Sequence, residues 1–199
     1  MNHHPVILEQ DIQPISIREV FEEILRILED GKERIRAIAL IHNQLHLNND
    51  SAYVEMGTYL NKLIYQMAES FSSYNKDIEV KVRVEEINLA IDYAVPVGLI
   101  LCELLSNSFK HAFTGRKKGL IEIELKNNPG RKWNYELLVK DNGIGYHGET
   151  DFLEQSSTGV EIMSAFIQQL DANYTYLRGE AGFGLYIQFA IDERDPPLN

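Results

Sequence analysis

The sequence predicts an α+β chain: a helical segment over residues 1–72, then a two-layer α/β sandwich with a mixed sheet over residues 73–199. Three observations predict it. From Ile17 to Phe71 the apolar residues recur at helical spacing. From Ile78 onward several stretches alternate apolar and charged residues, the period of a strand buried on one face. Two further helical patterns, one leading up to Phe113 and one over residues 159–170, interrupt those stretches.

Residues 1–14 carry no clear period, and Pro5 and Pro14 break them into a lead-in. Ser16 fits an N-cap, with Glu19 three residues on to complete a capping box. Val20, Ile24, Ile27 and Leu28 form an apolar stripe. Asp30-Gly31 either ends that helix or is tolerated inside it, since one glycine costs only ~1 kcal/mol against alanine. The pattern resumes over residues 34–42, a turn cluster follows at 48–51, and a further helix is expected over residues 54–71. The short connection makes antiparallel neighbours of these helices. His42 and His46 read as packing or partner contacts.

After residue 72 the texture changes. Ile78, Val80, Val82 and Val84 alternate with Glu79, Lys81 and Arg83, a half-buried strand. Residues 87–91 suggest a shorter one. Pro96 is read as a first-turn proline opening the central helix. Residues 120–126 and 133–139 are expected strands around the turn signal Asn128-Pro129-Gly130. A polar stretch leads to the helix over 159–170. Strands over 174–177 and 185–191, separated by Gly179, Gly182 and Gly184, complete the pattern.

Composition excludes several classes. The net charge of −11 argues against nucleic-acid binding and against anionic membrane surfaces. A phosphate ligand would therefore need local cations, backbone N–H groups or a metal. A single cysteine, Cys102, excludes an intrachain disulfide or a cysteine metal cluster, and its apolar setting reads as a buried, inert thiol. No apolar run approaches a membrane span and no signal-peptide pattern opens the chain, so a cytoplasmic location is expected.

Three motifs carry chemistry. Within the central helix Glu103, Asn107, Lys110 and His111 fall at i, i+4, i+7 and i+8, on one face. Asp141-Asn142-Gly143-Ile144-Gly145 follows a strand, and its glycines permit close backbone approach to a ligand while Asp141 can accept from an exocyclic amine. Ser157-Thr158-Gly159-Val160 opens a helix whose N-terminal N–H groups suit phosphate. Taken singly, each has an ordinary structural reading: a solvated helix face, a hairpin turn and an N-cap.

Their order is informative. The blocks RIRAIALIHNQLH, AIDYAVPVGLILCELLSNSFKHAF, VKDNGIGY and SSTGVEIM resemble sensor histidine kinases of the HWE-like, second dimerisation-domain class, within the GHKL ATP-binding superfamily. The resemblance covers roughly residues 18–191. It implies a mostly antiparallel sheet with helices on one face, preceded by a partial helical dimerisation segment. It also implies ATP and Mg²⁺ as ligands, and transfer of a phosphoryl group to histidine. In that reading Asn107 supplies an oxygen to Mg²⁺, with Glu103 acting on the metal shell through water. Lys110 and His111 face phosphates and sugar, and Glu103, Asn107 and Lys110 form the catalytic set. Asp141 takes the adenine amine, Gly143 and Gly145 shape the pocket, and Thr158, Gly159 and Val160 approach the nucleotide. Residues 146–157 form a lid without lysine or arginine that carries Glu149, Asp151 and Glu154. Implied partners are a response regulator or a histidine-bearing dimerisation domain, and a second copy through the N-terminal helices.

The departures matter as well. His3 and His4 lack the Arg and Asn that follow the acceptor histidine in this class, so the acceptor segment reads as missing or degenerate. Cys102 stands where the class usually has asparagine, and Val160 where it usually has leucine. Two other functions stay open from sequence: a non-enzymatic nucleotide-binding scaffold or anti-sigma-like module, and an ATPase with Glu103 as general base.

Overall fold

The computed structural model describes residues 17–47, 52–71, 77–146, 152–154, 157–179 and 182–191. The readings placed on His3, His4, Ser16, the turn at 48–51, the lid acids Glu149 and Asp151, and the side chains of His46 and Glu154 lie outside what it describes.

Helix α1 runs unbroken over Ile17–Leu47, through Gly31, where an added Cβ would meet open space. Its C-terminal half buries Ala37 and Ile41, together with Glu33. Phe21, Ile24, Leu25, Leu28 and Ile35 are exposed along it. Strand β1 (Tyr53–Glu55) pairs antiparallel with β3 (Asn88–Ala90), Val54 opposite Leu89. That pairing corrects the expected helix start at residue 54. The helix α2 spans Met56–Ser70, and Glu55 caps it by accepting from the N–H groups of Gly57 at 2.8 Å and Thr58 at 2.7 Å.

The main sheet contains β2 (Asp77–Val84), β4 (Lys118–Asn127), β5 (Tyr135–Asp141), β6 (Asn173–Gly179) and β7 (Gly182–Phe189), in the order β2-β4-β5-β7-β6. β2 and β4 run parallel and every other neighbouring pair antiparallel. Ile121, Ile123 and Leu125 of β4, Val139 of β5 and Leu185 of β7 are buried beneath the helices, and the alternate positions carry Glu122, Glu124 and Lys140. The expected sheet with one covered face is therefore present.

Strand boundaries shift by one to three residues, and two of the strand starts bear on the site. β5 begins at Tyr135, not residue 133, because Asn134 is held by the segment after β7: its side-chain amide donates to Ile191 O at 3.1 Å and accepts from Ile191 N at 2.9 Å. β7 begins at Gly182, three residues before the expected start. A Cβ on Gly182 would stand 1.9 Å from the Asp141 carbonyl oxygen, and its φ is +122°. Glycine in this strand marks close backbone approach.

The central helix α3 (Ile91–Asn107) also differs from expectation. It opens at Ile91, so Pro96 lies inside it and not in its first turn. Proline has no N–H to donate to the carbonyl of Asp92, four residues back, and Asp92 is an exposed residue where water can take that place. Glu103 and Ser106 are buried along with the apolar residues, because α1 covers the polar side. At Ser108 the helix widens into a π turn over Ser108–Ala112. The i, i+4, i+7 face expected from a uniform α-helix does not run through it. Helix α4 (Thr158–Gln169) packs beside α3, with Ser157 as N-cap.

Candidate functional site

Asp141, the last residue of β5, sits at the floor of a cavity of about 340 Å³. Its Oδ1 accepts from Gly143 N at 2.8 Å and Phe183 N at 3.3 Å, and its Oδ2 from Ser108 Oγ at 3.0 Å. The carboxylate is therefore held from three sides, by the loop after β5, by β7 and by the π turn. Gly143 supports this floor from behind, since a Cβ there would lie 2.2 Å from the Ala112 carbonyl oxygen. Ile144 N donates to that same carbonyl at 2.8 Å, tying the loop to the helix end. Gly145 takes a φ of +77° and borders the opening. The walls are apolar: Leu104, Ile144, Val160, Phe152 and Phe183. Phe152 and Phe183 pack at 4.8 Å between ring centroids.

A second, more polar cavity of about 170 Å³ adjoins the first. Asn107, His111 and Ser157 line both. Glu103, Lys110, Thr158 and Gly159 line only the second, Asp141, Gly145 and Val160 only the first. The residues singled out from sequence are thus distributed over two adjoining chambers. The α4 N-terminus faces the second, where unpaired backbone N–H groups and the helix dipole favour negative charge.

α1 forms the far wall of the second chamber through Ile27, Asp30 and Arg34. Arg34 grips Glu103 with both ends of its fork, Nε to Oε1 at 2.6 Å and Nη2 to Oε2 at 3.2 Å. Burial nevertheless holds the Glu103 carboxyl above its ordinary range, against the hydrogen bond and charge of Arg34. The Lys110 ammonium is paired with Asp30, whose Oδ1 also accepts from Ser106 Oγ at 2.9 Å.

Sequence reasoning assigned no site role to four contributors. Arg34 and Asp30 come from a helix far away along the chain, and no local pattern marks them. Ser108 looks like any helix serine, and Ser157 like a simple cap. Only for Ser157 was there a signal, its position just before Thr158-Gly159.

The donor chemistry suits a phosphate-bound cation better than an all-protein metal cage. Among the described residues no cluster of three His, Cys, Asp or Glu could hold a metal. Mg²⁺ commonly uses one or two protein oxygens and leaves the rest to phosphate and water. Asn107, on the wall shared by the two chambers, offers such an oxygen, and among the described residues nothing takes its side-chain amide. Glu103 is already held by Arg34, so it fits only an outer position. Among the described residues no helix is long and apolar enough to cross a membrane.

Comparison with known proteins agrees with the resemblance seen in the motifs. Residues 15–71 match the family HisKA_2, described as Histidine kinase. A curated relative, Blue-light-activated histidine kinase 2 of Erythrobacter litoralis (strain HTCC2594), is 22% identical over 165 residues. The alignment takes in 81% of this chain but 46% of that protein, so the chain spans about half the relative's length. The fold matches the histidine kinase domain from Erythrobacter litoralis EL346 blue-light activated histidine kinase with a TM-score of 0.75 at 19% identity, over 90% of this chain and 88% of that one. It matches the Acinetobacter baumannii histidine kinase AdeS with a TM-score of 0.56 at 14% identity, over 90% and 87%. The chain resembles histidine kinases in sequence, and its fold is that of their kinase domains.

Proposed function

We propose that this chain contains the ATP-binding catalytic part of a two-component sensor histidine kinase, residues 73–199, preceded by a helical dimerisation segment within residues 1–72. The observation that carries this reading is that two unlike chambers adjoin at Asn107, which lines both. One is apolar with a fixed carboxylate at its floor, and the other joins Lys110 to a helix N-terminus. An adenine base suits the first and phosphates suit the second.

In this reading Asp141 accepts from the adenine amine, and Leu104, Val160 and Ile144 enclose the ring. Lys110, Thr158 and Gly159 meet the phosphates, with His111 at the sugar side. Asn107 would hold Mg²⁺, which would supply neutralisation of the phosphate charge. A histidine nitrogen then forms a bond to the terminal phosphorus as the bond to the bridging oxygen breaks, releasing ADP. The chain's own contribution is positioning and charge stabilisation. A response regulator would receive the phosphoryl group. The exposed apolar row on α1, from Phe21 to Leu28, would be covered by a second copy. Because Arg34 occupies both oxygens of Glu103, that residue is poorly placed as a general base for water.

The test is incubation with labelled Mg·ATP, alone and with an added histidine-bearing dimerisation domain. Acid-labile phosphate on either protein supports the proposal; its absence on both leaves a binding scaffold. Rapid Glu103-dependent phosphate release would instead favour an ATPase. In a calorimetric titration Asn107→Ala should abolish or strongly weaken Mg·ATP binding.

A further inference from the structure

The π turn at the end of α3 places one side chain whose role the nucleotide reading does not yet use. Ser108 is 6% exposed, and its hydroxyl lies 3.0 Å from Asp141 Oδ2, in the same cavity lining. Backbone N–H groups hold the other oxygen, Oδ1. Of the side chains described here, Ser108 is the one that donates to this carboxylate.

A hydroxyl has one hydrogen and two acceptor lone pairs. While that hydrogen points at Asp141, the Ser108 oxygen has only lone pairs left for the cavity. Asp141 and Ser108 together then present acceptors and no donor. Such a surface accepts an amine and repels a carbonyl placed at the same point. A widened turn is a common device where a helix must re-aim a side chain at a functional site.

We infer that Ser108 is a positioning and specificity residue: it orients Asp141 and makes the cavity floor select a 6-amino purine. This inference rests on the nucleotide reading above. It is tested with the full chain by calorimetric titration of ATP, purine riboside 5′-triphosphate, which lacks the amine, and inosine triphosphate, which has a carbonyl there. The wild-type protein should prefer ATP over both. Ser108→Ala should narrow the ATP preference over the purine riboside by about tenfold, the size of one hydrogen bond to a charged group. Its affinity for the purine riboside should stay within about twofold of the wild type's. Ser108→Thr should restore the preference. Ser108→Cys, nearly the same size with a weaker donor, should narrow it as well, and it serves if the alanine variant does not fold.

An unchanged ratio in the alanine and cysteine variants overturns the inference. So does an equal loss for both nucleotides, which would mean that Ser108 merely supports the fold. If the wild-type protein binds none of the three, the nucleotide reading itself falls. A wild-type protein that prefers ATP while the variants keep its ratio removes the role of Ser108 alone.

Discussion

Arg34 of α1 closes on Glu103 of α3 at 2.6 Å, across 69 residues of sequence, and anchors the N-terminal helix to the wall of the candidate site. Both side chains are largely withdrawn from water, with 19% and 5% of their surfaces exposed. Removing one partner of a buried pair leaves an uncompensated charge and costs about 3 kcal/mol. Arg34→Met should therefore lose about that much stability at pH 8. The pH dependence has a defined sign. The Glu103 carboxyl is already raised above 4.5, and loss of Arg34 raises it further. A carboxyl raised on folding contributes its stability fully below its unfolded pKa and loses it as pH rises through the folded one. The deficit of Arg34→Met should thus be small near pH 4.5 and grow toward pH 8. Urea denaturation at the two pH values measures it, and a deficit of equal size at both would rule the argument out.

Lys110 reaches Asp30 in a second tie between the same helices, and Ser106 donates to the same carboxylate. On the nucleotide reading, that ammonium can serve a phosphate only by leaving or sharing Asp30. Asp30→Asn keeps an acceptor oxygen but removes the charge. It should lower stability by about 1 kcal/mol, the scale of one charge-assisted hydrogen bond made neutral. Affinity for Mg·ATP should rise by roughly threefold to tenfold, which corresponds to about 1 kcal/mol. Thermal melts and calorimetry read the two effects separately. Weaker binding would mean that Asp30 supports the site rather than competing for Lys110.

These two ties show where the sequence stopped being legible. The strand over residues 77–84 announced itself by alternation, and Asp141-Asn142-Gly143 by its strand-then-glycine order, because both signals are local. The pairing of Tyr53–Glu55 with Asn88–Ala90 did not, since three residues are too few for a period to show. Arg34 and Asp30 carry the ordinary chemistry of an exposed helix face, and only tertiary packing turns them toward Glu103 and Lys110. The π turn is equally silent: the residues from Ser108 to Ala112 read as a continuing α-helix, and the widening depends on what packs beside them. Pro96 misled for a related reason. Its rule applies to helix starts, but a buried helix held by neighbours can absorb one lost hydrogen bond.

Cys102 offers a probe of how tightly α1 stays docked. It is 2% exposed, with its Sγ 3.9 Å from the Glu33 carbonyl oxygen of α1. Burial pushes the thiol well above its usual range, and the nearby Glu103 and Glu33 add to the effect. Since the thiolate is the reactive form, native protein should react with a thiol reagent at least about a hundredfold more slowly than unfolded protein. Arg34→Met should speed that reaction if the helices separate locally. Equal rates in native and unfolded protein would contradict the burial described.

Tyr59 of α2 and Gly98 of α3 meet in a close contact between the two helices. Tyr59 is 1% exposed, and among the described residues its hydroxyl finds no hydrogen-bond partner. A Cβ on Gly98 would stand 1.9 Å from that hydroxyl oxygen and 2.7 Å from the ring carbon bearing it. An unsatisfied buried hydroxyl costs stability, so Tyr59→Phe should gain about 1 kcal/mol, or roughly 2–4 °C in Tm for a chain of this size. Gly98→Ala should lose about 1–3 kcal/mol by overpacking, despite the better helix propensity of alanine. The two changes share one contact and should not add. Phenylalanine removes the oxygen that the new methyl would strike first, so the double variant should recover part of the alanine loss. The ring carbon still crowds the methyl, so recovery should be incomplete. Urea denaturation of the four proteins in this cycle gives the coupling directly, and strict additivity would show that the hydroxyl is not what excludes a side chain at position 98.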